Sequence, residues 1–385
     1  MVEQRSAFRA STATLIALAL SLAVLLVGSV RFARYDWSGL PLARGPLSQE
    51  RVVSVECTEH IRAYVTSSGR TISPMTVDEQ QYLSIVRFMD GTPAHDLHVS
   101  CLLAPFTNRP VMPWLASKLP VDEAVGLGLV NVAMTLVATW AVVFTLRAQR
   151  RSVRSTALAA TLFALSWNTL MFGSGLLVDS GGVALVALCW LALASRRPWW
   201  VPALLLLSYP LKETIALVVL GPLVAWCWNE VAEARRTRAG ALALLAAAVV
   251  AAFASIPIAH LWAPESAATW PLSPSLGALV NNLLSPIGLV TFLIGVGPLY
   301  VPALLALRDR LRSKPVMTAL LDPAVVGVAL TGVLVLWVTL AADLSSRFAW
   351  VGTPFAASLA AVWFESDKVG EWLARIGGRG DAAST

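Results

Sequence analysis

Long apolar runs recur along almost the whole chain, each closed by charged or turn-forming residues. A helix needs about 20 predominantly apolar residues to cross the hydrocarbon core of a bilayer. On that measure the pattern predicts ten spans, over residues 12–30, 125–146, 155–177, 181–195, 199–208, 213–228, 241–261, 286–307, 323–340 and 348–364. The fifth is shorter than a crossing and closes on Tyr209-Pro210. The first run has no small-residue cleavage site leading into a soluble domain, so it reads as a retained helix and not a signal peptide. One polar stretch, residues 31–122, interrupts the series. The predicted fold is all-α: a polytopic transmembrane helical bundle of about ten spans, with a long first external loop carrying amphipathic helices. Residues 1–30 are the cytoplasmic N-terminus and first span, 31–122 the external loop, 123–364 the multi-span membrane domain, and 365–385 a cytoplasmic tail with a short helix at 369–376.

Positive charge orients this series. Arg147, Arg150, Arg151 and Arg154 follow the second span, Arg196 and Arg197 the fourth, Arg235, Arg236 and Arg238 the sixth, and Arg308, Arg310, Arg312 and Lys314 the eighth. Short loops after odd-numbered spans are nearly free of basic residues, with Lys212 and Arg347 the exceptions. The positive-inside rule then puts both termini in the cytoplasm of a multi-pass protein of the cell membrane, with the long loop outside. Composition agrees: at 57% apolar and 14% charged residues, with mean hydropathy +0.68, the chain is not a soluble globular protein. The net charge of +6 is no nucleic-acid signal, because the basic residues cluster between spans. The four cysteines have no metal-type spacing. Cys57 and Cys101 both fall in the external loop, an oxidising setting, and are expected to form a disulfide.

Within that loop, Thr76-x-x-Glu79 is a capping box, which predicts a helix start. Asp78 then lies in the first turn, where the helix dipole favours a carboxylate. Positions 78, 82, 85 and 89 recur at helical spacing, so Asp78 and Tyr82 share a face with Ile85 and Met89. Such a helix suits a membrane surface, apolar side down and carboxylate at the water boundary. Further ionisable residues are expected on the same outer face: Arg109, Asp179 in the glycine-rich turn 177–182, Lys212-Glu213 at the end of the short fifth span, and Arg347 at the start of the last. Each has a plainer reading. Arg347 could snorkel at a helix end, Lys212 could pair with its neighbour Glu213, and Asp179 could hold its turn. Asp36, just after the first span, is a rival for any role given to Asp78.

The motif Asp78-Glu79-x-x-Tyr82-x-x-Ile85-x-Arg87-x-Met89, followed by Arg109-Pro110 and then Trp114-Leu115, resembles the first external loop of the glycosyltransferase C superfamily. The likeness is to its protein O-mannosyltransferase and lipid A aminoarabinose transferase branch. A lysine early in a middle span (Lys212) and Arg347-Phe348 ahead of Pro354 extend the resemblance. It implies a lipid-linked glycosyltransferase, inverting, that uses a polyprenyl-phosphate sugar on the outer face of the membrane. The acceptor, whether glycan, lipid or protein, stays open. The catalytic carboxylate would be Asp78, with Glu79 beside it, and Arg109, Lys212 and Arg347 would hold the donor phosphate. Arginine at 109 stands where that branch commonly has lysine, a planar fork for a point charge.

The chemistry fits such a donor. An anionic phosphate at headgroup depth needs Arg or Lys to bind it, and the same cations stabilise the charge that builds as it leaves. A carboxylate is then needed to deprotonate the acceptor hydroxyl. No cofactor is required by this reading. His60, His95, His98 and His260 make no metal set, although Asp78 with Asp179 could hold a divalent metal, as acids do in parts of the superfamily. Trp199, Trp200 and Trp270 suit interfacial belts, and Trp114 is a candidate for stacking on sugar. Two other classes remain open: a secondary transporter or flippase with Lys212 and Asp179 as a relay, and a non-catalytic membrane protein of the same fold.

Overall fold

The computed structural model describes residues 2–33, 64–69, 71–72, 76–97, 99, 102–269, 274–342 and 344–366. Almost all of them are helical. Helix α1 (Val2–Ala33) comes first. A small cap follows, made of the hairpin β1 (Tyr64–Val65) and β2 (Thr71–Ile72), α2 (Val77–Met89), the short strand β3 (Leu103–Ala104) and α3 (Val111–Ser117). The chain continues through α4 (Glu123–Ala148), α5 (Val153–Ala164), α6 (Trp167–Phe172), α7 (Asp179–Ala194), α8 (Trp200–Leu205), α9 (Ser208–Leu211), α10 (Ile215–Ala232) and α11 (Arg238–Trp262). Strand β4 (Ala268–Thr269), α12 (Leu276–Leu283), α13 (Pro286–Ser313), α14 (Val316–Leu320), α15 (Pro323–Ala341), α16 (Arg347–Trp350) and α17 (Thr353–Phe364) complete it.

Among the described residues, six helices are long and apolar enough to cross a bilayer: α4, α10, α11, α13, α15, and α1 over Thr12–Ser29. The chain is a multi-pass helical membrane protein. The other predicted spans correspond to shorter pieces, and local chemistry explains two of the breaks. The run 155–177 divides into α5 and α6 because Ser166 caps a new helix, its Oγ accepting the Thr169 N–H at 3.2 Å. The run 348–364 divides at Gly352, after which Pro354 sits in the first turn of α17, where its missing N–H costs nothing. The run 199–208 becomes α8 and α9. Helix α12 was not foreseen; Ser275 caps it by accepting the Ala278 N–H at 3.1 Å. The tail helix at 369–376, Asp36, and Cys57 and Cys101 lie outside the described residues.

Inside a membrane, helices gain little from hydrophobicity when they associate and depend on close packing and polar contacts. Helix α4 runs between α1 and α7, while α17 packs on α13, α5 and α15. Alanines 356, 357, 360 and 361 are buried on α17, which lets the neighbouring backbones come close. Trp140 Nε1 donates to Ser21 Oγ (2.8 Å) between α4 and α1, and Trp190 Nε1 to Ser358 Oγ (2.8 Å) between α7 and α17. At Gly295 on α13 a Cβ would stand 2.5 Å from Ser346 Oγ and 2.7 Å from Asn168 Oδ1, so only glycine fits. The cap is fastened to one end of this bundle. Tyr64 Oη (3.0 Å) and the Ser67 N–H (3.1 Å) donate to Glu123 at the start of α4, and β3 pairs in parallel with β4 beyond α11.

Candidate active site

The capping box forms as its spacing predicts: Thr76 Oγ1 accepts the Glu79 N–H (3.3 Å), and Glu79 Oε2 accepts the Thr76 N–H (2.9 Å). Glu79 is buried and turned towards this cap. The helix does not lie open on a surface as its amphipathic pattern suggests. Residues 79 to 86 are all buried, because α3, α4 and the β3 segment cover it, with the Leu103 N–H donating to Gln81 Oε1 at 3.0 Å. A helical period describes one helix's own faces and does not register which later segments pack over them.

Three ion pairs form one cluster beneath α2. Arg347 Nη2 meets Asp78 Oδ2 at 2.6 Å. Arg109 makes a two-pronged bond to Glu213, through Nε at 2.8 Å and Nη2 at 2.5 Å, and its Nη1 donates to Tyr82 Oη at 2.6 Å. Lys212 Nζ donates to Asp179. The pairs are close enough to act on one another: Asp179 feels Arg347 and Arg109 as well as Lys212, and Tyr82 feels Asp78 and Asp179. One aromatic ring joins two of the cations. Phe348 has Lys212 Nζ 5.1 Å and Arg347 Cζ 4.9 Å from its centroid, within the range of cation–π attraction.

Asp78, Tyr82, Arg109, Asp179, Lys212 and Arg347, singled out in the sequence, are thus brought together. Glu213 joins them as the partner of Arg109, and the local Lys212–Glu213 pair does not form. The cluster holds three cations and three carboxylates. Its inner pair is sealed, with Lys212 and Asp179 side chains 2% and 6% exposed. The Arg347–Asp78 pair is more open, at 24% and 22%. Burial pushes the Tyr82 hydroxyl well up from the usual tyrosine range, although Arg109 pulls the other way. Burial would lower the Arg109 guanidinium; Glu213 and Tyr82 outweigh it and hold its proton more firmly than usual.

Buried amides set the backbone on which these charges stand. Asn131 on α4 donates to the carbonyls of Gly175 (2.9 Å) and Leu177 (2.6 Å), and its Oδ1 accepts from Ser180, fixing the turn that delivers Asp179. Asn168 on α6 donates to the carbonyls of Gly295 (3.2 Å) and Ser346 (3.1 Å), and Ser346 Oγ donates back at 2.5 Å. Tyr300 Oη donates to the Ala349 carbonyl at 2.6 Å. Arg347 therefore starts a short helix anchored on both sides. Sequence reasoning passed over Asn131 and Asn168; a polar amide inside an apolar helix was the available signal.

The remaining candidates fall elsewhere. Trp114 stacks on Trp262, centroids 5.6 Å apart and planes at 27°, so one of its faces is already covered. Trp199 and Trp200 are exposed. His95 lies on the surface 3.6 Å from Asp96, and His260 lies beside Tyr209; His60, His98 and Trp270 lie outside the described residues. No grouping of three or more metal-type ligands occurs among the described residues. Two cavities lie apart from the cluster, one of about 10 Å³ beside Val24 and Thr169, the other of about 350 Å³ among the far ends of α7, α10 and α13. Comparison with protein-family models, curated proteins and solved structures gives no match.

Proposed function

We propose that the cluster is the active site of a lipid-linked glycosyltransferase that moves a sugar from a polyprenyl phosphate to an acceptor at the outer face of the cytoplasmic membrane. In this reading the chain crosses ten times with both termini inside, and its fold is that of the glycosyltransferase C superfamily. The observation that carries the reading is the gathering of Asp78, Arg109, Lys212 and Arg347, spread over most of the chain, into one cluster. The acceptor hydroxyl attacks the anomeric carbon, the bond from that carbon to the phosphate oxygen breaks, and the phosphate leaves with the electron pair. Asp78 takes the acceptor proton. Arg347, the more open cation, meets the phosphate first, with Arg109 and Lys212 behind it. A divalent ion does not fit this donor set, since Asp78 and Asp179 already answer Arg347 and Lys212.

Transfer from a radiolabelled polyprenyl-phosphate sugar tests the reading. Asp78→Asn keeps the shape and an oxygen for Arg347 but cannot take a proton, so turnover should fall by about 10²–10⁴, the usual contribution of a general base. Donor binding should survive. Full activity in this variant would place the base elsewhere, with Asp36 next to be tried. A transporter is the second reading, favoured by one observation: Lys212 and Asp179 are sealed together at the start of an apolar helix, as in an intramembrane relay. Substrate counterflow in proteoliposomes that persists in Asp78→Asn and stops in Asp179→Asn would select it.

A further inference from the structure

The 350 Å³ cavity lies at the other end of the bundle from the ion-pair cluster. Helices α7 and α10 start beside Asp179 and Lys212 and end at its wall. Their lengths of 16 and 18 residues place about 24–27 Å between the two regions, at about 1.5 Å per residue. The volume falls in the range of small-ligand sites, about 300–1,000 Å³. Four arginines from four separate segments line it: Arg151 after α4, Arg196 after α7, Arg235 after α10 and Arg310 near the end of α13. Trp190, Leu193 and Leu359 add apolar wall.

The acids on the wall are fewer and incompletely matched. Arg310 pairs with Asp322, and Arg235 with Glu233. Glu230 is divided between Arg196 at 3.4 Å and Arg235 at 3.5 Å, longer than the roughly 2.7–2.9 Å of a charge-assisted bond. Arg196 and Arg235 are also the open members, 60% and 48% exposed. Arg151 pairs at 3.0 Å with Glu365, which is not on the wall. Each guanidinium presents five N–H donors, so the donors outnumber the carboxylate oxygens facing them.

We propose that this cavity binds a phosphate-bearing anion, with Arg196 and Arg235 exchanging their long contacts to Glu230 for phosphate oxygens. Planar forks suit that chemistry, since phosphate accepts two parallel N–H bonds from one guanidinium. The phosphate has two possible sources, a free phosphate compound from water or the headgroup of an anionic lipid entering between helix ends. The site is independent of the transfer reaction proposed above.

Calorimetric titration of the full chain in uncharged maltoside micelles separates these cases. Pyrophosphate and short-chain phosphatidylglycerol are titrated in turn, with short-chain phosphatidylcholine as control. Saturable binding of pyrophosphate assigns a free phosphate ligand, and binding of phosphatidylglycerol alone assigns a lipid. The R196A/R235A double variant should weaken the binding at least tenfold, while Glu230→Gln, which removes the competing carboxylate, should tighten it. Tightening cannot come from a misfolded chain, so Glu230→Gln decides the matter even if the double variant fails to fold. Binding of neither anion above the phosphatidylcholine control, unchanged affinity in R196A/R235A, or weaker binding in Glu230→Gln would each overturn the proposal.

Discussion

Removal of one charge from the sealed pair tests the electrostatics of the cluster directly. With Arg109, Lys212 and Arg347 set against Asp78, Asp179 and Glu213 the formal charge balances. Asp179→Asn leaves an excess positive charge centred on Lys212, whose side chain is 2% exposed and whose cationic neighbours Arg109 and Arg347 repel it. Breaking a buried pair in this way costs about 3–5 kcal/mol. Lys212→Met should cost less, about 1–3 kcal/mol, because Asp179 keeps Arg347 and Arg109 as attractive neighbours. The double variant D179N/K212M restores neutrality and replaces the ammonium by a side chain of similar length, so it should recover most of the loss.

Reversible unfolding in mixed micelles, followed by circular dichroism, reads these differences. At about 1.4 kcal/mol per tenfold, the Asp179→Asn loss is roughly two to three and a half orders of magnitude in the ratio of folded to unfolded protein. The signature is the order: Asp179→Asn least stable, Lys212→Met intermediate, and the double variant near the native chain, with a large coupling energy between the two positions. Asp179→Asn within about 1 kcal/mol of the native chain would mean that water reaches the pair. A double variant no more stable than Asp179→Asn would show that the loss comes from something other than an uncompensated charge.

Three further outcomes follow from the same structure. Arg109→Lys should not replace arginine, since a point charge cannot hold both Glu213 oxygens and Tyr82 Oη at once; on the proposed reading, donor binding in this variant should resemble Arg109→Ala more than the native chain. Burial alone would raise the Glu365 carboxyl, but the Ser152 N–H (2.6 Å), Arg151 and Ser155 overcome it and hold it below its usual range. Its stabilising effect, about 1 kcal/mol at this partly exposed site, is present above the ordinary glutamate range and fades as pH falls through the lowered pKa, so a pH series of unfolding curves should show that loss in the native chain and not in Glu365→Gln. Impermeant thiol labelling in intact cells should mark a cysteine placed at position 78 and spare cysteines at 150 and 310; the reverse pattern would invert the proposed topology.

The parts of this site that could be read in the sequence are the local ones. Thr76 and Glu79 are three residues apart, so their capping box needed no tertiary knowledge. Charges beside apolar runs stand out because the bilayer penalises them, which is how Lys212 and Arg347 came into view. Pairing is another matter. Lys212 and Glu213 are neighbours in sequence, yet Lys212 has an extended backbone, with φ −172° and ψ 121°, and successive side chains on extended chain point to opposite sides. One therefore turns to Asp179 and the other to Arg109, residues whose proximity depends on the whole bundle. The breaks at Ser166 and Gly352 were hidden for the converse reason: an apolar run does not reveal that a serine within it will cap a new helix.

On the proposed reading, the prior pairing of every cation bears on how a phosphate would enter. Free arginines and lysine at headgroup depth would repel one another and hold no fixed geometry, whereas carboxylates keep them in place before the donor arrives. A phosphate must then displace a carboxylate, and the three carboxylates are not equally displaceable. Asp179 is sealed against Lys212. Glu213 is held by two prongs of one guanidinium. Asp78 is bound through one oxygen to Arg347, the most exposed of the three cations. Exchange at Arg347 would therefore release Asp78 first. On this reading the step that would bind the phosphate would also free the base, so the carboxylate would become available for the acceptor proton only once the leaving group is in place.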